Sequence, residues 1–175
     1  RIASLLATDA YRPRALYERF NLEGIATTDS PLDDLRWHRM IRDSGWGGRV
    51  VTAYRPDAVV DPDFEGFLDN LDRLADVSGE DTGTWAGYLD AHRARRAYFK
   101  SFGATSSDHG HPTAETANLS TAEAEVLFGK VRSGLADERE RRLFRAQMLT
   151  EMAKMSIEDG LVLQIHPGSW RNHSP

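Results

Sequence analysis

A chain of 175 residues, 40% hydrophobic and 28% charged, is long enough for one domain with a sizeable core and has the composition of an ordinary globular protein. A formal net charge of −5 argues against a general binder of nucleic acid or acidic membrane, because phosphate contacts need clustered positive charge. The absence of cysteine excludes disulfides and thiolate metal sites and fits a cytoplasmic location. No apolar run approaches the roughly 20 residues of a membrane span.

The first 20 residues read as helical, with Ala15, Leu16 and Phe20 as an apolar face. A short strand at 24–28 ends in Thr27-Thr28-Asp29. Ser30 is then placed to cap a helix with Pro31 in its first turn, acids at Asp33 and Asp34, and bases at Arg39 and Arg42, an order suited to the helix dipole. Leu32, Leu35, Met40 and Ile41 give that helix a buried side, and Gly45 ends it. A second strand at 49–54 runs into Arg55-Pro56-Asp57. Asp61 and Pro62 open a helix in which Phe64, Phe67, Leu68, Leu71 and Leu74 follow helical spacing. Another helix over 84–102 buries Trp85, Tyr88, Leu89 and Phe99.

A third, more polar strand at 104–107 leads to Asp108-His109-Gly110-His111. Ser120 and Glu123 form a capping box for a helix reaching Arg132, and a longer helix over 136–159 packs Met148, Met152 and Met155 at helical spacing. The apolar run 161–165 reads as a buried strand that ends in His166, Pro167 and Gly168, with Arg171 in the loop beyond. The arginine clusters at 93–96 and 139–145 lie beside acids in helical patterns and read as solvated faces.

Strands separated by helices predict parallel pairing with right-handed crossovers. The glycines Gly45, Gly47 and Gly48 precede a strand instead of joining strand to helix, so a dinucleotide-binding fold is not expected. The fold class expected is α/β, a partial (β/α)8 barrel of four parallel strands with helical insertions. Residues 1–175 are expected to be the central part of a single barrel domain, cut at both ends from something longer.

In such a barrel all four strand ends meet on one catalytic rim. Arg55 and Arg171 can each grip a carboxylate with a planar two-pronged contact. His166 and His109 can move protons near neutral pH or bind a metal, and Asp29 can accept a hydrogen bond, act as base or stand beside a metal. Blander roles exist for each: Asp29 can help to cap the next helix, Asp57 can shape the Arg-Pro-Asp turn, and His111 can be a solvated loop residue. His38 and His92 fall within helices, where packing or solvation accounts for them. His109-Gly110-His111 matches the His-x-His metal pair of the first strand in amidohydrolase-type barrels, but residues 104–107 are too polar for the usual buried first strand.

At these same strand ends the chain resembles the uronate isomerase (glucuronate isomerase) family, barrels of the amidohydrolase superfamily. Ala-Thr-Thr-Asp-Ser-Pro at 26–31 is similar to the family's Thr-Thr-Asp-Asp-Pro segment. Tyr54-Arg55-Pro56-Asp57 resembles its aromatic-Arg-Pro-Asp turn, and Ser107-Asp108-His109-Gly110 its Ser-Asp-His segment. The stretch from His166 to Arg171-Asn172 resembles its His-Ile-Gly-Ala-Leu-Arg-Asn loop, departing at Pro167, Ser169 and Trp170. Ser30 departs where the family usually has Asp. The family's His-x-His metal pair would lie before this sequence and its last-strand Asp ligand after it.

The resemblance implies interconversion of an aldouronate and a ketouronate through an enediol, as in glucuronate to fructuronate or galacturonate to tagaturonate. It implies His166, Asp29 and His109 as catalytic groups, with Arg55, Arg171 and Thr28 on the substrate. It further implies a divalent metal, zinc, with His166 as a ligand, and a homo-oligomer when complete. No nucleic-acid or membrane partner is expected. The alternatives are a metal-dependent hydrolase on the same barrel, or an inactive barrel fragment.

Overall fold

The computed structural model describes residues 2–168. Its strands β1 (Ile25–Asp29), β2 (Val50–Tyr54), β3 (Ser106–His109) and β4 (Val162–Ile165) form one sheet in the order β1-β2-β3-β4, and each neighbouring pair is parallel. Each strand thus lies beside its successor, as in the wall of a (β/α)8 barrel; a doubly wound sheet reverses its order at a switch point. Two short helices, α1 (Ile2–Leu6) and α2 (Pro13–Arg19), precede the sheet. Helix α3 (Arg36–Asp43) joins β1 to β2, and α4 (Asp57–Val60), α5 (Phe67–Ser78) and α6 (Trp85–Ser101) join β2 to β3. Helices α7 (Thr121–Arg132) and α8 (Glu138–Asp159) complete the last crossover. The architecture is the four-stranded partial barrel that the sequence predicts.

The core lies between the sheet and α4–α8. Tyr88 stacks on Phe128 with ring centroids 4.8 Å apart, Trp85 and Phe144 close around them, and Tyr54 of β2 meets Phe99 edge-on at 5.2 Å. Such ring pairs add about 0.5–1.5 kcal/mol each beyond the area they bury. Met148, Met152 and Met155 are buried as their spacing predicts. Capping boxes start both α7 (Ser120 with Glu123) and α8 (Asp137 with Glu140), the second of which went unread in the sequence.

Several local expectations are corrected. Helix α3 starts at Arg36, because the acids after Pro31 fold the chain on themselves. Asp33 Oδ1 accepts from Leu35 N–H at 2.6 Å and Asp34 Oδ1 from Arg36 N–H at 3.0 Å, and these local bonds compete with a helix. Leu35 consequently adopts a left-handed conformation (φ 52°) while fully buried; Met40 points to solvent and His38 takes the inward position. The helix expected from Asp61 starts at Phe67 instead, after Gly66 at φ 73°, and leaves Phe64 exposed. β3 lies two residues later than expected, so Asp108 and His109 are strand residues. Among the described residues β4 is the last strand of the sheet, with Val162 and Ile165 exposed; the N-terminal segment is helical as expected, in short separate pieces, but leaves Phe20 exposed.

The arginine clusters divide. Arg93 reaches Glu158 on the surface, but Arg95 and Arg96 are buried. Arg96 forks onto Asp159 through Nε (2.6 Å) and Nη2 (3.0 Å), tying α6 to the end of α8. Arg95 donates to the carbonyls of Pro31 and Asp33 at 2.7 and 2.8 Å, which pins the turn that follows β1. Asp159→Asn should therefore cost about 3 kcal/mol in denaturant unfolding, because it leaves Arg96 buried without its countercharge. A loss below about 1 kcal/mol would mean that the pair contributes only what surface pairs do.

Two histidines give the fold a pH dependence. Burial pushes His92 down to about 3, with Arg96 and Arg93 adding to the effect. Burial likewise takes His109 down to about 3, with His111 and Arg96 contributing. Both stay neutral in the fold over a range in which the unfolded chain, with ordinary values near 6.5, takes up protons. Their contribution is complete above about pH 6.5 and is lost as pH falls toward 3. Denaturation midpoints should drop between about pH 7 and pH 4.5, with a shallower slope in His92→Gln. A midpoint flat over that interval, or an unchanged slope in the variant, would contradict these assignments.

Candidate functional site

Strand alternation sorts the residues at the carboxyl ends of the strands into two sets. Thr27, Asp29, Thr52, Tyr54, Ser107 and His109 share the face covered by helices. Thr28, Ala53, Arg55, Asp108, Gln164 and His166 share the opposite, open face, as the register Thr28↔Ala53 and Asp108↔Gln164 requires. Side-chain contacts agree. Tyr54 Oη lies 2.7 Å from His92 Nδ1 of α6, and His38 Nε2 of α3 lies 2.8 Å from Thr27 Oγ1.

On the open face the last turns of three strands are linked by one carboxylate. Asp108 Oδ2 accepts from Arg55 Nη1 at 3.2 Å, and Asp108 Oδ1 lies 2.7 Å from His166 Nε2. A carboxylate paired with Arg only accepts, so His166 Nε2 is the donor in this contact. Arg55 is also held by Asp57, whose Oδ2 accepts from Nε at 2.7 Å. The remaining terminal nitrogen, Nη2, has no hydrogen-bond acceptor among the described residues. Beside it is a cavity of about 350 Å³ lined by Ser30, Arg55, Asp57, Asp61, Phe64 and Gly110. The set can hold an oxyanion or hydroxyl at Arg55 and exchange a proton at His166, with Asp108 steadying both.

The residues singled out in the sequence are not all brought together. Arg55 and His166 join through Asp108, and Thr28 shares their open face on β1. Asp29 turns to the helices: its Oδ2 accepts from Thr27 Oγ1 at 2.5 Å and Thr52 Oγ1 at 2.7 Å, with His38 Nε2 at 3.7 Å. His109 is wholly buried on the same face, with Nε2 3.0 Å from Ser107 Oγ. A common rim for Asp29, Arg55 and His166 is thus corrected at the level of the side chains, since strand pleating aims Asp29 away. His111 is buried rather than solvated, and its ring lies 5.6 Å from that of His109. Arg171 lies outside the described residues.

Among the described residues, no group of three or more His, Asp or Glu side chains comes together in a way that could hold a metal ion. These residues do not by themselves make up a divalent metal site. Asp108 stands among the strand-end residues in the sequence reading, but no role is assigned to it there. Placing β3 two residues early left Asp108 and His109 in a loop, with no face assigned to either. Once the strand is known to reach His109, period two puts Asp108, not His109, beside Arg55.

The model of the glucuronate isomerase family matches residues 1–175. The uronate isomerase of Mesorhizobium japonicum is 78% identical over 174 residues, covering 99% of this chain and 37% of that protein. The uronate isomerase of Rhizobium meliloti is 74% identical over the same shares. The crystal structure of glucuronate isomerase from Caulobacter crescentus superposes with a TM-score of 0.93 at 59% identity, over 99% of this chain and 36% of that one. The uronate isomerase of Thermotoga maritima superposes at 0.83 with 28% identity, over 89% of this chain and 35% of that one. The chain thus spans about 37% of the length of the curated relatives it matches. Four parallel strand ends, the Arg55–Asp108–His166 chain and these matches lead to one conclusion: the chain belongs to the glucuronate isomerase family.

Proposed function

We propose that this chain supplies part of the active site of an enzyme interconverting aldo- and ketohexuronates, such as glucuronate and fructuronate. The observation that carries the reading is the hydrogen-bonded series Arg55–Asp108–His166 across the open face, in a chain of this family. Isomerisation moves a proton from the carbon next to the aldehyde to the aldehyde carbon, and a hydroxyl proton from the first carbon's oxygen to the former aldehyde oxygen, through an enediol. It therefore needs a group that takes and returns a proton, donors for the developing oxyanion, and an anchor for the distant carboxylate.

His166 is the proton-handling group. Its Nε2–H is given to Asp108, whose charge orients the ring. Arg55 has its Nε and Nη1 already committed to Asp57 and Asp108, so it presents the Nη2 edge to substrate rather than a fully free fork. That edge can hold the substrate carboxylate or an enediolate oxygen. Thr28 offers a hydroxyl on the same face, and Arg171 is assigned to the carboxylate from the loop after His166. Asp29 and His109, facing the helices, support the ends of β1 and β3 from behind. A metal in a full-length chain would need donors from beyond the described residues.

Turnover is tested in a full-length chain carrying this segment, with glucuronate and galacturonate and the ketose followed by NMR. His166→Ala should remove most of the turnover without loss of folding. Arg55→Lys keeps the charge but not the planar geometry and should lower kcat/KM by roughly 10- to 100-fold. That loss should fall on uronates and shrink for the matching sugar without a carboxylate if Arg55 holds that group. Wild-type turnover of neither uronate, or undiminished rates in both variants, would contradict the reading.

A further inference from the structure

We propose that Asp57 is a positioning residue that sets the direction of Arg55 and ties it to the chain leaving β3, an inference that rests on the isomerase reading above. Arg-Pro-Asp first looks like a turn whose acid serves only to start α4. The hydrogen bonds say otherwise. No side chain caps the start of α4; its first bonds are the ordinary helical ones, with the Pro56 carbonyl accepting from Val59 N–H at 2.8 Å and Val60 N–H at 3.1 Å. The carboxylate of Asp57 makes other contacts: Oδ2 accepts from Arg55 Nε at 2.7 Å and Oδ1 from the backbone N–H of Gly110 at 2.9 Å. One side chain therefore fixes the guanidinium of β2 and the exit of β3 together.

Gly110 gives independent support. A Cβ there would lie 2.6 Å from Asp57 Oδ2 and 2.7 Å from Arg55 Nη2, closer than real side chains tolerate. A side chain here would have to push the Asp57–Arg55 ion pair aside. With Nε held by Asp57 and Nη1 by Asp108, the guanidinium plane is fixed from two sides, and Nη2 is the terminal nitrogen left toward the cavity that Gly110 also lines. An arginine with a flexible stem becomes a preorganised donor, which is where its advantage over lysine lies.

The test is a double-mutant cycle in the full-length chain, read as kcat/KM for glucuronate with melting temperature as control. Asp57→Asn should cost roughly 10- to 100-fold in the wild-type background, because Nε loses a charge-assisted partner. In an Arg55→Lys background the same substitution should cost far less, since there is no guanidinium left to orient. A purely structural Asp57 would instead give equal losses in both backgrounds, within about 2-fold. Gly110→Ala removes no polar group, yet it should reproduce the loss and the same dependence on Arg55, and it serves alone if Asp57→Asn does not fold. Equal losses in both backgrounds, or wild-type rates in Gly110→Ala, would overturn this inference while the isomerase reading stood. A wild type inactive on every hexuronate would overturn the isomerase reading itself, and the inference with it.

Discussion

Asp108 holds Arg55 with one carboxylate oxygen and His166 with the other, so the ends of β2, β3 and β4 share a single ionic contact on the open side of the sheet. Without that carboxylate, a guanidinium and an imidazole that both carry donors would face each other across about one strand width with nothing between them. With it, the guanidinium and the imidazole are both held to one carboxylate. Asp57 adds a second restraint on the same guanidinium and extends the network to the backbone at Gly110. The rim is rigid before any substrate arrives, which is the condition for donors to work without reorganisation.

The helix-covered face explains how strands this short hold such a rim. β3 is only four residues, and three of them, Ser107, Asp108 and His109, are polar and buried. An apolar β3 would pack more simply but could not supply Asp108. Behind the sheet, Tyr54 bonds to His92 Nδ1 and Arg96 pairs with Asp159, so buried polar contacts tie β2 and the end of α8 to α6. Arg95 and Asp29 do the same for β1, one gripping the carbonyls of the turn after the strand and the other bonding Thr27 and Thr52. The residues at the strand ends thus divide by face into those that stabilise the rim and those that line it.

Much of this was legible in the sequence, and the failures have local causes. Alternating strands and helices gave the parallel sheet, and Ser120 with Glu123 marked a helix start because a capping box is written in two nearby residues. Asp33 and Asp34 misled, since acids near Pro31 suit a first helical turn and an Asx turn equally well, and only Leu35 at positive φ reveals which was formed. Arg95 and Arg96 looked solvated because their partners, the carbonyls after β1 and Asp159, are about 60 residues away. Asp29 and His109 were placed with Arg55 and His166 because position along a strand is readable from sequence, whereas face depends on register to a single residue. Ending β3 at residue 107 left Asp108 beyond the strand, with no face to place it on.

The most direct measurement is a crystal structure of a full-length chain carrying this segment, bound to an unreactive hexuronate analogue such as the corresponding hexonate. The open-face assignment predicts that the analogue lies against Thr28, Arg55 and His166, with an oxygen on Arg55 Nη2 and the Asp108–His166 contact intact. An analogue bound with Asp29 and His109 turned toward it, or held elsewhere with Arg55 and His166 untouched, would contradict that assignment.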